Sequence, residues 1–134
     1  MKKKAHFTNK VFYWIMILML GYNLPMQLGA IFNGGILDLF QTLFSCVLLV
    51  LIIIKHQYAK IGMYIWTISF VILLYAYELG IYLINDIIED FNYSKIWPYL
   101  AYAGALIVGV VILKYTNRTV QIINVEDSEQ ALAE

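Results

Sequence analysis

Four long apolar stretches constrain this chain more than any other feature of its sequence. A helix needs about 20 mainly apolar residues to cross the hydrocarbon core of a bilayer. Such stretches occur at residues 11–32, 36–54, 61–84 and 96–115. The sequence therefore predicts an all-α, polytopic membrane protein with four transmembrane helices.

The composition also favours a chain embedded in lipid. Of its 134 residues, 62% are hydrophobic and 13% are charged, whereas a soluble domain is about 45–50% apolar and about 25% charged. A water-soluble sphere of this size could not hide so much apolar surface. The connectors at residues 32–35, 55–60 and 85–95 are short, and short connectors join antiparallel neighbours. We therefore predict an antiparallel, up-down four-helix bundle.

Basic residues are unequally divided between the two sides that this topology creates. One side carries only Lys95, and the side of the two termini carries all the others. These others are Lys2, Lys3, Lys4, Lys10, Lys55, Lys60, Lys114 and Arg118. Because lysine and arginine are enriched in cytoplasmic segments, both termini are predicted to be cytoplasmic. The expected location is a plasma membrane or a bacterial inner membrane, crossed several times.

Two polar segments flank the apolar region. Residues 1–10 form a basic cytoplasmic flank, residues 11–115 the transmembrane domain, and residues 116–134 a polar, acidic cytoplasmic tail. We expect this tail to be frayed. The alternative is that its segment VQIINV adds as a strand to a partner.

Polar side chains form one stripe on each predicted helix, because residues three, four or seven positions apart share a helix face. The stripes comprise Asn23 and Gln27; Asp38, Gln41 and Ser45; Tyr75, Glu78 and Tyr82; and Tyr99 and Tyr102. All of them fall in the predicted outer half of the bilayer. Unpaired polar groups are costly in hydrocarbon, so we expect the four stripes to face one another as a polar intramembrane cluster.

Glu78 is the most unusual residue of this predicted cluster. The apolar interiors of the predicted spans contain no lysine or arginine to pair with it. One hypothesis is that Glu78 fixes the register of the helices by hydrogen bonding. The other is that it binds a cation, a proton or a small polar ligand from the outer side.

Small residues recur along one face of the fourth predicted helix. Ala101, Ala105 and Gly109 are four residues apart, a spacing that lets two helices approach closely. This face either packs inside the bundle or meets a second copy or another membrane protein.

Motifs for catalysis are missing from the sequence. The two histidines, His6 and His56, lie in the predicted cytoplasmic segments, and the single Cys46 cannot form an intrachain disulfide. No metalloprotease, nucleophile-elbow or nucleotide-binding motif occurs, and a net charge of zero gives no field that would attract nucleic acid. We therefore predict a protein that is not an enzyme and that uses no metal, cofactor or nucleic acid.

Two functional hypotheses remain. The first is an accessory or interaction subunit of a membrane assembly, whose partners are the lipid bilayer and either a second copy or another membrane protein. The alternative is a small oligomeric transporter or channel with an outward-facing polar site around Glu78.

Overall fold

A computed structural model of the chain describes residues 3–32, 36–88 and 96–125, except for the side chains of residues 30–32 and 37. The elements are β1 (Lys3–Phe7), α1 (Lys10–Phe32), α2 (Ile36–Ile53), α3 (Ala59–Trp66), a π-helix (Thr67–Leu73), α4 (Leu74–Ile88), α5 (Ile96–Thr119) and β2 (Val120–Asn124). The structure is 84% helical, which confirms the helical class. The two strands depart from the all-α prediction.

Three helices are long and apolar enough to cross a membrane. They are Lys10–Gly29, Ala59–Ile88 and Ile96–Thr119. A further apolar helix, counted from Asp38 to Ile53, is shorter. Helices of membrane-spanning character are thus confirmed, while the fourth crossing and the insertion itself stay predictions.

Two helical segments extend beyond the apolar stretches that predicted them. The stretch 61–84 corresponds to α3, the π-helix and α4, which together run from Ala59 to Ile88, and the stretch 96–115 corresponds to α5, which ends at Thr119. Hydropathy marks where apolar residues stop, but a helix continues while its backbone groups find partners. Residues 33–35 and 89–95 of the predicted connectors lie outside the described residues.

The π-helix lies between α3 and α4 and spans seven residues, with Thr67 and Val71 buried. Most π-helical segments in proteins are single-turn bulges inside α-helices. Because a π turn holds more residues than an α turn, a stripe of side chains spaced for an α-helix does not continue unchanged through it. The side-chain faces of α3 and α4 therefore follow separate registers.

The chain divides into two compact units. The first comprises Met1–Tyr64 together with Tyr115–Glu134, and the second comprises Ile65–Lys114. In the first unit α1 packs on α2. Met16 and Leu20 of α1 and Leu48 and Ile52 of α2 are almost fully buried. Each of these pairs is spaced by four residues, as expected for the packed stripe of a helix.

In the first unit, a two-stranded antiparallel sheet pairs β1, which precedes α1, with β2, which follows α5. Lys3 lies opposite Asn124 at one end of the ladder, and Phe7 lies opposite Val120 at the other. The expectation of a frayed tail is therefore wrong over residues 120–124. The β-branched residues of VQIIN favour a strand, and the partner that completes its backbone hydrogen bonds is the chain's own basic flank. The tail beyond residue 125 lies outside the described residues.

The connector after α2 begins with a Schellman motif. The backbone N–H of His56 donates to the carbonyl of Leu51 at 2.9 Å, and the N–H of Lys55 donates to the carbonyl of Ile52 at 3.1 Å. Lys55 has a φ of 52°, the left-handed conformation that this motif requires and that glycine usually supplies. Two carbonyl groups at the end of α2 thereby gain partners.

This connector also reaches β1. The N–H of Ala5 donates to the carbonyl of Lys55 at 2.8 Å, and Lys4 forms an isolated antiparallel bridge with His56. The ammonium group of Lys55 lies 5.7 Å from the centre of the Tyr13 ring, within the range of a cation–π interaction. Three segments that are distant in sequence therefore meet at β1.

Two adjacent residues, Thr8 and Asn9, complete two helix ends. The side-chain Oδ1 of Asn9 accepts the backbone N–H groups of Val11 at 2.9 Å and Phe12 at 3.2 Å, which is the geometry of a helix N-cap. Both the N–H and the hydroxyl of Thr8 donate to the carbonyl of Thr119, at 2.9 and 3.0 Å. These two residues therefore provide an acceptor for the first N–H groups of α1 and donors for the last carbonyl group of α5.

Replacing the N-cap tests whether these ends stabilise the first unit. We expect Asn9→Ala to lower the free energy of unfolding by about 1 kcal/mol, because the N–H groups of Val11 and Phe12 lose their acceptor. The measurement is loss of helical circular dichroism during denaturant titration in mixed micelles. Asn9→Ser is the matched control, since serine also caps helices. Equal stability of the alanine and serine variants would contradict the assignment.

Candidate functional site

Four tyrosines and an aspartate converge in the second unit. Tyr75, Tyr82 and Asp86 lie along one face of α4, since they are spaced by seven and four residues. Tyr99 and Tyr102 are three residues apart in the first two turns of α5. We call these five residues the tyrosine–aspartate cluster.

The rings of the cluster contact one another across the two helices. The ring centres of Tyr82 and Tyr102 are 5.5 Å apart, and those of Tyr75 and Tyr102 are 6.1 Å apart. Tyr82 and Tyr99 meet edge to face, with centres 6.1 Å apart. These separations fall in the range in which aromatic pairs attract each other, so the rings tie α4 to α5.

Asp86 is the buried acid of this cluster. It is only 4% exposed, and the Tyr99 hydroxyl donates to its Oδ2 atom at 2.5 Å. The same hydroxyl lies 3.2 Å from the backbone carbonyl of Tyr82. A hydroxyl bond to a carboxylate is short and roughly twice as strong as a bond between neutral groups. Tyr99 thus supplies the hydrogen bond that a buried carboxylate requires.

The sequence prediction had placed Asp86 in a connector. A usable signal was present, because Asp86 lies four residues after Tyr82 and eight after Glu78 and so continues their stripe. The apolar stretch ended at about residue 84, and that boundary hid the continuation. The helix α4 in fact extends to Ile88.

Glu78 lies on α4 between Tyr75 and Tyr82 and is half-buried. Of the predicted residues of the third and fourth helices, the structure brings together Tyr75, Tyr82 and Tyr102, while Glu78 at the centre of the site stays a prediction. It adds Asp86 as a more deeply buried carboxyl group.

The predicted polar residues of α1 and α2 lie in the first unit. Gln27 is 9% exposed, and its Oε1 atom is buried with no hydrogen-bond partner among the described residues. The Asn23 amide instead donates to the Met19 carbonyl of its own helix at 2.8 Å. Asp38 and Gln41 are half-buried, and the Asp38 carbonyl accepts the Thr42 hydroxyl at 2.6 Å. A single cluster formed by all four stripes stays a prediction.

The predicted small-residue face of α5 contains two different surroundings. Gly109 is buried, and a Cβ atom added to it would lie 2.9 Å from Cγ1 of Ile72 and 3.1 Å from Cγ1 of Val71. The α5 backbone therefore approaches the π-helix closely at Gly109, as only glycine permits. Ala101, by contrast, is exposed, and Ala105 is half-buried.

The chemistry of the tyrosine–aspartate cluster is hydrogen bonding and attraction of positive charge. Phenol hydroxyls donate to carboxylates, and the faces of tyrosine rings attract cations. Within the part of the chain that the structure describes, no three residues among the histidines, cysteines and acids are grouped as a metal site would require.

Neither a protein-family model, nor a curated protein, nor a solved structure matches the chain.

Removing one hydroxyl tests the bond that holds Asp86. We expect Tyr99→Phe to lower the melting temperature of the purified protein by several degrees, because a buried carboxyl group loses its donor while the ring stays. Tyr102→Phe is the matched control, since it removes a hydroxyl from the same cluster and leaves the Tyr99–Asp86 bond in place. Equal shifts for the two variants, measured by circular dichroism in the same micelles, would contradict a special role for Tyr99.

Proposed function

We propose that this chain is a multi-pass integral membrane protein with four crossing helices and cytoplasmic termini, and that it works by binding rather than by catalysis. In this proposal it is an interaction subunit that associates with a second copy or with another membrane protein. The unequal distribution of basic residues supports the orientation. The joining of β1, the connector at His56 and β2 in one unit also supports an even number of crossings, because it requires these segments to lie on the same side.

Large apolar side chains remain exposed along the helices of both units. Monomeric soluble proteins rarely expose contiguous apolar patches above a few hundred Å², so these faces favour lipid or helices of another protein as their surroundings. They include Trp14, Leu18 and Tyr22 of α1; Phe40, Leu43 and Val47 of α2; and Trp97, Leu100 and Ile107 of α5.

The observation that carries the interaction proposal is the open space beside Gly104 on the small-residue face of α5. A Cβ atom added to Gly104 would meet none of the described residues within 4 Å, and Ala101, one turn earlier, is exposed. Glycine inside a helix lowers stability by about 0.5–1 kcal/mol relative to alanine. At Gly109 close packing against Val71 and Ile72 offsets this loss, whereas Gly104 makes no such contact with the described residues. Between membrane helices, small residues allow the close approach that stabilises association. Gly104, Ala101 and Ala105 therefore form the proposed interface.

Blocking this face is the direct test. We expect the gently solubilised wild-type protein to appear in native mass spectra as a complex, either with a second copy or with another membrane protein at fixed stoichiometry. Gly104→Leu should weaken that complex by about tenfold in dissociation constant, which corresponds to ~1.4 kcal/mol. The bulky side chain would hold the partner helix away from the α5 backbone.

Gly80→Leu is the matched control, because Gly80 of α4 also has open space around its Cβ position and is outside the proposed interface. Gly109→Leu is unsuitable as a test, since it would clash with Val71 and Ile72 of its own chain. A wild-type protein that is monomeric, or equal losses for the variants at positions 104 and 80, would overturn the interaction proposal.

The second candidate function is a small oligomeric transporter or channel, and the burial of Asp86 on the same helix as Glu78 favours it. Ionisable residues inside membrane helices commonly mark ion or proton pathways. Here the two carboxyl groups lie on α4, and four tyrosines join α4 to α5. Such a site would take a cation or a proton from the outer side.

Proton flux separates this candidate from the first. If it is correct, liposomes that contain the protein and a trapped pH-sensitive dye should respond to an imposed pH gradient. Asp86→Asn and Glu78→Gln should then abolish the response, because neither amide releases a proton at these pH values. Glu126→Gln, an equal charge change in the tail, is the control. Wild-type flux equal to that of protein-free liposomes would reject proton transport.

A further inference from the structure

A cleft of about 540 Å³ opens beside the small sheet, in the first unit. Three segments contribute to it: the ends of both strands, the connector after α2, and the beginning of α3. Its lining residues are Lys3, Gln57, Tyr58, Ile61, Ile122 and Asn124.

The floor of the cleft continues the buried face of the sheet. Alternate residues of paired strands share a face, and on this face Ala5, Phe7 and Val120 are buried. Ile122 lies opposite Ala5 in the same register, yet it is 44% exposed. The rest of the protein therefore covers Ala5, Phe7 and Val120 but leaves Ile122 partly uncovered. The side chain of Ile122 provides an apolar surface inside the cleft.

The rim of the cleft is polar and cationic. Lys3 lies at the first position of β1, opposite Asn124 at the last position of β2. The connector after α2 adds Gln57 and Tyr58. The rim therefore contains the ammonium group of Lys3, the amide groups of Gln57 and Asn124, and the phenol of Tyr58. Among the residues that the structure describes, those lining the cleft include no acid, and Lys4, Lys55 and Lys60 are close in sequence to them. Such a rim fits a phosphate group, which accepts several hydrogen bonds and carries negative charge.

The position of the cleft adds a second requirement. Ile61 lies in the first turn of α3, where the membrane-spanning segment Ala59–Ile88 begins. A ligand here would meet an apolar wall on the side of Ile61 and Ile122 and a cationic rim on the side of Lys3. A molecule with an anionic head and an apolar chain satisfies both, and the inner leaflet of a membrane supplies such molecules.

We propose that this cleft binds the phosphate headgroup of an anionic phospholipid. Lys3 contacts the phosphate, Gln57 and Tyr58 donate hydrogen bonds to it, and Ile61 and Ile122 contact the first part of an acyl chain. The proposal rests on the membrane insertion put forward under the proposed function, and it is independent of whether a protein partner exists.

The test measures lipid retention on the full chain. The purified protein is exposed to equal amounts of phosphatidylglycerol and phosphatidylcholine, and the lipids that stay bound are counted by native mass spectrometry. The wild type should retain phosphatidylglycerol preferentially. Lys3→Gln should lower this retention about fivefold, the effect of one lysine near an anionic surface, and Lys3→Arg should restore it.

Lys4→Gln is the matched control. It removes the same charge from the adjacent residue, which faces the opposite side of the strand and does not line the cleft, so it should change retention less than about twofold. Equal losses for the variants at positions 3 and 4 would mean general attraction to a basic surface and would overturn the proposal. The absence of any preference for phosphatidylglycerol would overturn it as well.

Two further measurements exclude other occupants. Bound phosphatidylglycerol should survive an excess of inorganic phosphate, and its displacement would assign the cleft to free phosphate instead. Removal of residues 126–134 should leave the preference unchanged, whereas a preference that appears only after removal would assign the cleft to the acidic tail.

Reconstitution into nanodiscs distinguishes failure of this proposal from failure of the proposed function. A protein that fails to enter nanodiscs would contradict the proposed function. A protein that enters them and shows no lipid preference would contradict only the proposal for the cleft.

Discussion

The need of every backbone N–H and C=O group for a hydrogen-bond partner governs this structure. Inside an apolar environment a helix satisfies these groups within one segment, but it leaves donors at its start and acceptors at its end. The first unit supplies the missing partners from its own flanks. Asn9 caps the start of α1, and Thr8 donates hydrogen bonds to the last carbonyl of α5, at Thr119. The turn at Lys55 supplies donors to the last carbonyls of α2. The sheet arises from the same flanks.

Hydropathy predicted the helices well because apolar length is a property of consecutive residues. It could not predict the sheet, since β1 and β2 are five residues each and pair across more than a hundred intervening positions. β1 carries no local signal for a strand, and the β-branched residues of β2 favour a strand without specifying its partner. The pairing of β1 with β2 depends on how the residues between them fold, and no short window of sequence includes both strands.

The candidate site was predicted in part for a related reason. Glu78, Tyr75, Tyr82 and Tyr102 could be found because helical spacing groups them, and the structure places the three tyrosine rings together. Asp86 was missed because a boundary drawn from hydropathy ended the helix too early. Gly109 was assigned to the same face as Ala101, but its surroundings depend on the π-helix at Val71 and Ile72. A π-helix has no sequence pattern comparable to the apolar period of an α-helix.

The pairing of β1 with β2 has a consequence for the order in which the chain is completed during synthesis. Thr8 and Thr119 are separated by 111 positions, so β1 leaves the ribosome long before its partner strand exists. Until then its N–H and C=O groups must bind water, the connector near His56, or another chain. The helices that emerge in between can form from local hydrogen bonds alone. The sheet therefore cannot form before residues 120–124 have been synthesised, whereas the contacts between α1 and α2 need only the first half of the unit.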